Sequence, residues 1–336
     1  MPIHTLTRLR NLFHPERFQG WGEHRRYFEG WYFKMVNREG SEAFAIIPGI
    51  AMDGEGRQHS FIQVLDGKRK TARYHRFDKD AFTPAKDRFS VSIGPNTFSE
   101  QGLTVEVDGL SGRLGFQGNI PWPKPFYSPG IMGPFTFVPF MECYHGIVSM
   151  DHTLEGSLTL EGGRVIDFTG GRGYLEKDWG RSFPSAYIWL QTNHFSQAGT
   201  SLKCSVANIP WLGSSFVGFI AGLWWEGRLI RFTTYNRSRL LTCRADMQRV
   251  GIVLENPRYR LEVEVERDAP TALASPILGL MDGRIEETMN ARAMVQLVER
   301  RSGRRLFEDT GKHGGLEVAG EVATLFCLPP PDSVTQ

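Results

Sequence analysis

Acidic, phenolic, amide and indole side chains crowd into one stretch of this chain, Gly170 to Phe195. If Gly173 to Trp179 is extended, two-residue alternation puts Tyr174, Glu176 and Asp178 on one face and Leu175, Lys177 and Trp179 on the other. Two acids and a phenol then share one surface. In an apolar pocket, desolvation and like-charge proximity would hold one of those acids protonated near neutral pH. The run from Tyr187 to Phe195 alternates in the same way. Tyr187, Trp189, Gln191, Asn193 and Phe195 face one side and Ile188, Leu190, Thr192 and His194 the other. An amide-and-aromatic face suits a cavity wall. Gly180 to Pro184 supplies the turn between the runs, so the two strands are expected as neighbours lining one pocket. The plainer alternative is a solvated strand followed by an ordinary core strand.

Other candidates lie outside this stretch. Tyr27-Phe-Glu-Gly-Trp-Tyr-Phe-Lys-Met-Val36 reads as a strand, with Tyr27, Glu29, Trp31 and Phe33 on one face and Phe28, Tyr32 and Lys34 on the other. Glu29, a lone acid among rings, needs either a buried cationic partner, for which Arg25 or Arg26 is near in sequence, or a proton. Gln63 shares a face with Phe61 and Leu65 and is a pocket candidate or a satisfied core amide. Glu142 and Tyr144 share a face, with His145 opposite; a lone His near an acid reads first as structural.

The elements that must position these groups are short alternating runs separated by turn residues, among them Asp53-Gly54, Asp66-Gly67 and Asp108-Gly109. Similar runs fill the second half, interrupted by a helix-like or loop interval at Ala269 to Gly279. Pro121 to Phe140 breaks the pattern with six prolines and almost no charge. It cannot hold a regular ladder, yet it is too apolar for a solvated linker. A lid over a hydrophobic cavity is expected, with interdomain packing as the alternative. The fold class is therefore all-β: two similar antiparallel β-barrel or sandwich units with few short helices. The expected organisation is an N-terminal arm at 1–20, a first domain at 21–170 containing the 121–140 lid, a second domain at 171–328, and a tail at 329–336.

Composition narrows the partners. The chain has 336 residues, 40% of them hydrophobic, and a net charge of +2. That balance, with no long basic run, argues against nucleic acid. Cys143, Cys204, Cys243 and Cys327 form no C-x-x-C pair, so buried free thiols are expected and no metal site is suggested. Charged residues throughout 1–20 argue against a secretory signal, and no segment has the apolar length to span a bilayer. A soluble cytoplasmic protein is the expectation, with peripheral membrane contact left open.

The segments Tyr27-Phe-Glu-Gly-Trp-Tyr-Phe-Lys34, Gly173-Tyr-Leu-Glu-Lys-Asp-Trp-Gly-Arg-Ser-Phe-Pro184 and Trp189-Leu-Gln-Thr-Asn-His-Phe195 resemble the tocopherol cyclase family, over about Phe18 to Cys327. Gly173 to Gly180 more weakly resembles the Gly-Tyr-x-Asp-x-x-Trp-Gly signature of carotenoid 1,2-hydratases and their lipocalin-like relatives, with Glu176 in the acidic position. The resemblance implies two lipocalin-like antiparallel β-barrel domains, a hydrophobic substrate, a prenylated quinol, and no cofactor or metal. A prenyl double bond is protonated and the phenolic oxygen captures the tertiary cation. An alkene is a very weak base, so the acid must be a neutral carboxyl group in a dry pocket. Asp178 or Glu176 is the expected acid, with Tyr174 orienting it or relaying the proton. Gln191 and Asn193 are expected to bind the quinol hydroxyls, Glu29 and Gln63 to line the pocket, and Trp31, Trp179 and Trp189 to steady the cation. Two other readings stay open: a noncatalytic carrier of a lipid or isoprenoid, and a hydratase in which water captures the cation.

Overall fold

The structure, a computed structural model, describes residues 10–325. Cys327 and the expected tail at 329–336 lie outside them, as does the start of the N-terminal arm. The first sheet has twelve strands: β1 (Tyr27–Val36), β2 (Ala43–Met52), β3 (Gln58–Asp66), β4 (Thr71–Asp78), β5 (Phe82–Pro84), β6 (Ser90–Ile93), β7 (Asn96–Ser99), β8 (Gly102–Val107), β9 (Leu110–Gln117), β10 (Cys143–Leu160), β11 (Val165–Asp167) and β12 (Arg172–Gly180). The second has ten: β13 (Tyr187–Thr192), β14 (Ser201–Trp211), β15 (Ser214–Trp225), β16 (Arg228–Thr233), β17 (Arg239–Ala245), β18 (Arg249–Glu255), β19 (Tyr259–Glu266), β20 (Thr271–Ile277), β21 (Leu280–Glu299) and β22 (Arg305–Ala319). Among the described residues, helix is confined to short 3-10 turns at Lys79–Ala81, Gly133–Phe137 and Val322–Leu325, apart from a turn at residues 10–11.

The two sheets are wound alike. The first runs β4-β3-β2-β1-β12-β10-β9-β8-β7-β6-β5, and the second β16-β15-β14-β13-β22-β21-β19-β18-β17. In each, a four-strand meander is closed back by the unit's last strand pairing with its first. In each, too, the two edge strands are consecutive in sequence: only Lys79–Ala81 separates β4 from β5. The sheet must therefore curl until its edges approach, although no ladder joins them. All-β architecture in two curled antiparallel sheets is thus as expected, with each barrel left open at one seam.

Two details of the expected organisation change. β12 pairs with β1 and β10, so residues 172–180 complete the first sheet and the chain crosses to the second at 181–186 rather than at 170. The interval Ala269 to Gly279 is strand β20 and a tight turn, not helix or loop. Leu278 and Gly279 both have positive φ (50° and 84°), the backbone of a two-residue hairpin turn, and Pro276 is tolerated because β20 pairs only with β21.

Burial explains the layering. Strand β19 alternates strictly, burying Leu261, Val263 and Val265 only. β13, by contrast, is buried at every residue and β1 at all but Gly30. These strands are covered twice, on one face by their own sheet's core and on the other by the opposite sheet. Trp31, Phe33, Leu175 and Trp179 belong to the core inside the first sheet, and Ile188, Leu190 and Leu202 to that inside the second. A third cluster, with Tyr32, Tyr174, Tyr187, Trp189, Leu273 and Trp122, lies between the sheets.

Candidate functional site

That third layer is not filled. About 1100 Å³ of open space lies between the sheets, mouth included. Its walls are mostly apolar: Phe28, Ile47 and Phe61 from the first sheet, Ala207, Ile209 and Ile220 from the second, and Leu273, Pro276, Met281 and Ile285 from the β20–β21 hairpin. Met132 reaches it from the proline-rich segment, whose Trp122 and Ile131 are buried in the intersheet layer while Phe126 and Tyr127 face outward. The segment thus packs between the sheets and adds one residue, Met132, to the cavity wall.

The polar groups fall into two clusters. On the first-sheet wall, alternation along β12 aims Glu176 and Asp178 into the cavity, and His145 on β10 joins them. His145 Nδ1 is 2.7 Å from Asp178 Oδ1 and its Nε2 is 3.4 Å from Glu176 Oε2. Tyr174 donates its hydroxyl to Glu176, and burial, reinforced by the Glu176 charge, raises the phenol's pKa well above its ordinary value. Ligand-type atoms of His145, Glu176 and Asp178 lie within 4.8 Å of one another, so these are also the residues that could hold a cation.

On the second-sheet wall Glu317 lines the cavity beside Tyr187, whose hydroxyl donates to Glu317 Oε2 at 2.7 Å. Glu317 sits directly across β22–β21 from Glu287, and Tyr32 of the first sheet donates to Glu287. Burial raises Glu287 to about 8, with the Glu176 charge adding to it and the Tyr32 hydrogen bond and Lys34 opposing. Burial also holds Glu317 well above the usual carboxylate range, and the Glu287 charge adds to this. Lys34, buried beside them, is pushed down to about 7 by desolvation.

The structure brings together Glu176, Asp178, Gln63 and Trp189 as cavity-lining groups, with Tyr174 bonded to Glu176 from just behind. The strands β12 and β13 do share one pocket, but across it: they belong to different sheets and are not paired. Gln63 is also a satisfied amide, exchanging hydrogen bonds with the Ala274 backbone. Gln191 and Asn193 lie between the sheets but not on the cavity. Gln191 accepts from Lys34 at 2.8 Å, and Asn193 donates to Asp151 and to Gly173 O, both at 2.9 Å.

Glu29, Trp31 and Trp179 are placed elsewhere, inside the first sheet. Glu29 pairs with Lys177, not Arg25 or Arg26, and the same ammonium lies 4.8 Å from the Trp31 ring and 4.6 Å from that of Trp179. The cation these indoles face is a lysine of the chain itself. His145, read first as structural, belongs to the cavity cluster. The sequence does not single out Glu287 and Glu317: Glu287 follows the exposed Glu286, and only strand pairing sets the two side by side. The alternation around Glu317, with Leu316 turned to the core, was the one available signal.

The tocopherol cyclase-like family model matches residues 119–320, a span that includes both acidic clusters. The chain belongs to this family. A probable chloroplastic tocopherol cyclase from Oryza sativa subsp. japonica is 24% identical over 369 residues, covering 89% of this chain and 76% of the relative. A chloroplastic tocopherol cyclase from Zea mays is 26% identical over 365 residues with the same coverages. Among solved structures, CghA with Sch210972 matches with a TM-score of 0.55 at 12% identity, covering 88% of this chain and 89% of that one. At that identity the likeness extends to the fold. In this tocopherol cyclase-like chain, the family's match takes in β10–β12 of the first sheet and all of the second.

Proposed function

We propose that this chain closes a prenylated quinol to a chromanol inside the intersheet cavity. Protonation of the prenyl double bond generates a tertiary cation and the phenolic oxygen captures it. The observation that carries the reading is the cavity itself: apolar walls fit a prenyl tail, and carboxyl groups open onto it from both sheets, where water is scarce enough for a carboxylic acid to act on an alkene. Family membership and the plant relatives support the same substrate class. In this reading Tyr174, Glu176 and Asp178, with His145, handle protons at the head-group end, and Trp189 and Gln63 shape the wall.

The test is to incubate purified protein with a phytylated methyl-benzoquinol under reducing conditions and to resolve products by chiral chromatography with mass detection. One chromanol enantiomer, formed faster than without protein and lost in Glu176→Gln or Asp178→Asn, is the expected result. Tight binding of several prenylquinols without conversion would make the protein a carrier. A product heavier by one water would make it a hydratase.

A further inference from the structure

Ring closure moves two protons. One goes onto the alkene and one comes off the phenol, and a single cluster on one wall would have to do both. The cavity instead presents two clusters of different character on opposing sheets. Asp178 and Glu176 are in contact with an imidazole. Among the described residues Glu317 forms no ion pair: it accepts from a phenol and is set cross-strand from a second carboxyl, Glu287, one of whose oxygens has no hydrogen-bond partner. Directly opposed side chains on adjacent strands lie about 4.5–5.5 Å apart at Cβ, so a buried carboxylate facing a half-buried one there disfavours double ionisation.

We infer that Glu317 is the acid that protonates the prenyl alkene, and that Asp178 with His145 on the facing wall takes the proton from the quinol hydroxyl. This rests on the cyclisation reading and assigns its two proton transfers.

The Glu317 O–H bond breaks as the new C–H bond forms, leaving Glu317 a carboxylate and the substrate a tertiary cation. The phenolic oxygen then forms the C–O bond and its O–H proton passes to the Asp178–His145 pair. No electron is gained or lost, and exchange with solvent after product release returns the proton to Glu317. Anti addition across a double bond brings the proton and the oxygen to opposite faces, which acids and bases on opposite walls accommodate. The raised pKa of Glu317 agrees with a neutral donor. The groups that face it are Tyr187, Glu287, Glu176 and Asp178, with Lys203 acting from β14. Trp189, its cross-strand neighbour on β13, lines the same cavity, and the Lys203 ammonium lies 5.1 Å from its ring.

The experiment compares wild type, Glu317→Gln and Glu317→Asp as full chains on the phytylated methyl-benzoquinol, with binding followed separately by intrinsic fluorescence. Glu317→Gln is expected to lower kcat by about 10²-fold or more, the usual range for loss of a general acid, while Kd for the quinol changes less than about threefold. Glu317→Asp is expected to restore part of kcat and to shift the basic limb of its pH profile. Turnover by Glu317→Gln close to wild type overturns the assignment. If that variant does not fold, an unshifted basic limb in Glu317→Asp overturns it instead. A wild type that converts no prenylquinol removes the cyclisation reading itself, which is a different failure.

Discussion

A charge buried in the first sheet shows how single residues here are held. Lys177 is fully buried, as is its partner Glu29. The ammonium also donates to the carbonyls of Pro15 and Arg17, and Glu29 accepts from the backbone N–H groups of Gln19 and Gly20. Residues 15–20 are therefore fastened to the inside of the first sheet through this pair. Desolvation lowers the Lys177 pKa, opposed by Glu29, so its pairing rather than its burial keeps the charge. Lys177→Met strands Glu29 without a cation, and such a loss costs about 3–5 kcal/mol. Urea unfolding should show that loss, and Lys177→Met combined with Glu29→Gln should recover much of it. A single variant within about 1 kcal/mol of wild type would mean the pair does not hold the arm. Because Lys177 points away from Glu176 and Asp178, turnover per folded molecule should survive.

Among the elements, the β20–β21 hairpin does most to enclose the cavity. It belongs to the second sheet, yet its tip is fastened to the chain crossing between sheets: Gly279 N donates to Arg181 O at 2.7 Å and Leu278 N to Ser182 Oγ at 2.7 Å. At Gly279, φ is +84° and an added Cβ would lie 2.0 Å from Met52 O and 2.5 Å from Tyr27 N, both in the first sheet. Gly279→Ala should therefore lift the tip and open one end of the cavity. Affinity for a prenylquinol is expected to fall about tenfold while far-UV circular dichroism stays as in wild type. An unchanged Kd would show that the hairpin is not a cavity wall. This element was also the least legible in sequence, since Ala and Pro residues hid its alternation and its partner was unknown. Where alternation is local it was decisive: it separated Tyr174, Glu176 and Asp178 from Leu175, Lys177 and Trp179 correctly. It divided β1 correctly too, but could not say which face met the cavity, because both faces are buried and the aromatic-rich one lay inside. Pairings such as Glu287 with Glu317 join residues 30 positions apart and leave no local mark.

For the whole molecule, the two sheets are tied across a layer that is partly polar, and that makes their union sensitive to pH. Lys34 of the first sheet donates to Gln191 and to His313 O of the second, and Tyr32 donates to Glu287. Folded, Glu287 keeps its proton up to about pH 8, whereas its ordinary value is 4.5. Between those values the folded state binds more protons than the unfolded one, so the Glu287 contribution is full below 4.5 and is lost as pH rises through 8. Lys34 behaves oppositely: its folded value of about 7 lies below the ordinary 10.5, so above pH 7 the unfolded state binds more protons and stability recovers toward 10.5. The pair's joint contribution is thus weakest near pH 7–8. Buried histidines with lowered values, such as His59 and His313, act in the other direction below pH 6.5, so the total curve mixes the two. The difference between Glu287→Gln and wild type isolates the carboxyl, because glutamine keeps the shape and cannot ionise. Relative to wild type, the variant should gain stability as pH rises from about 5 to 8, at up to about 1.4 kcal/mol per pH unit. Guanidinium unfolding at a series of pH values measures it directly. A difference that stays flat across that range would mean Glu287 ionises as freely between the sheets as in water, and the layer that joins them would then have to be wet.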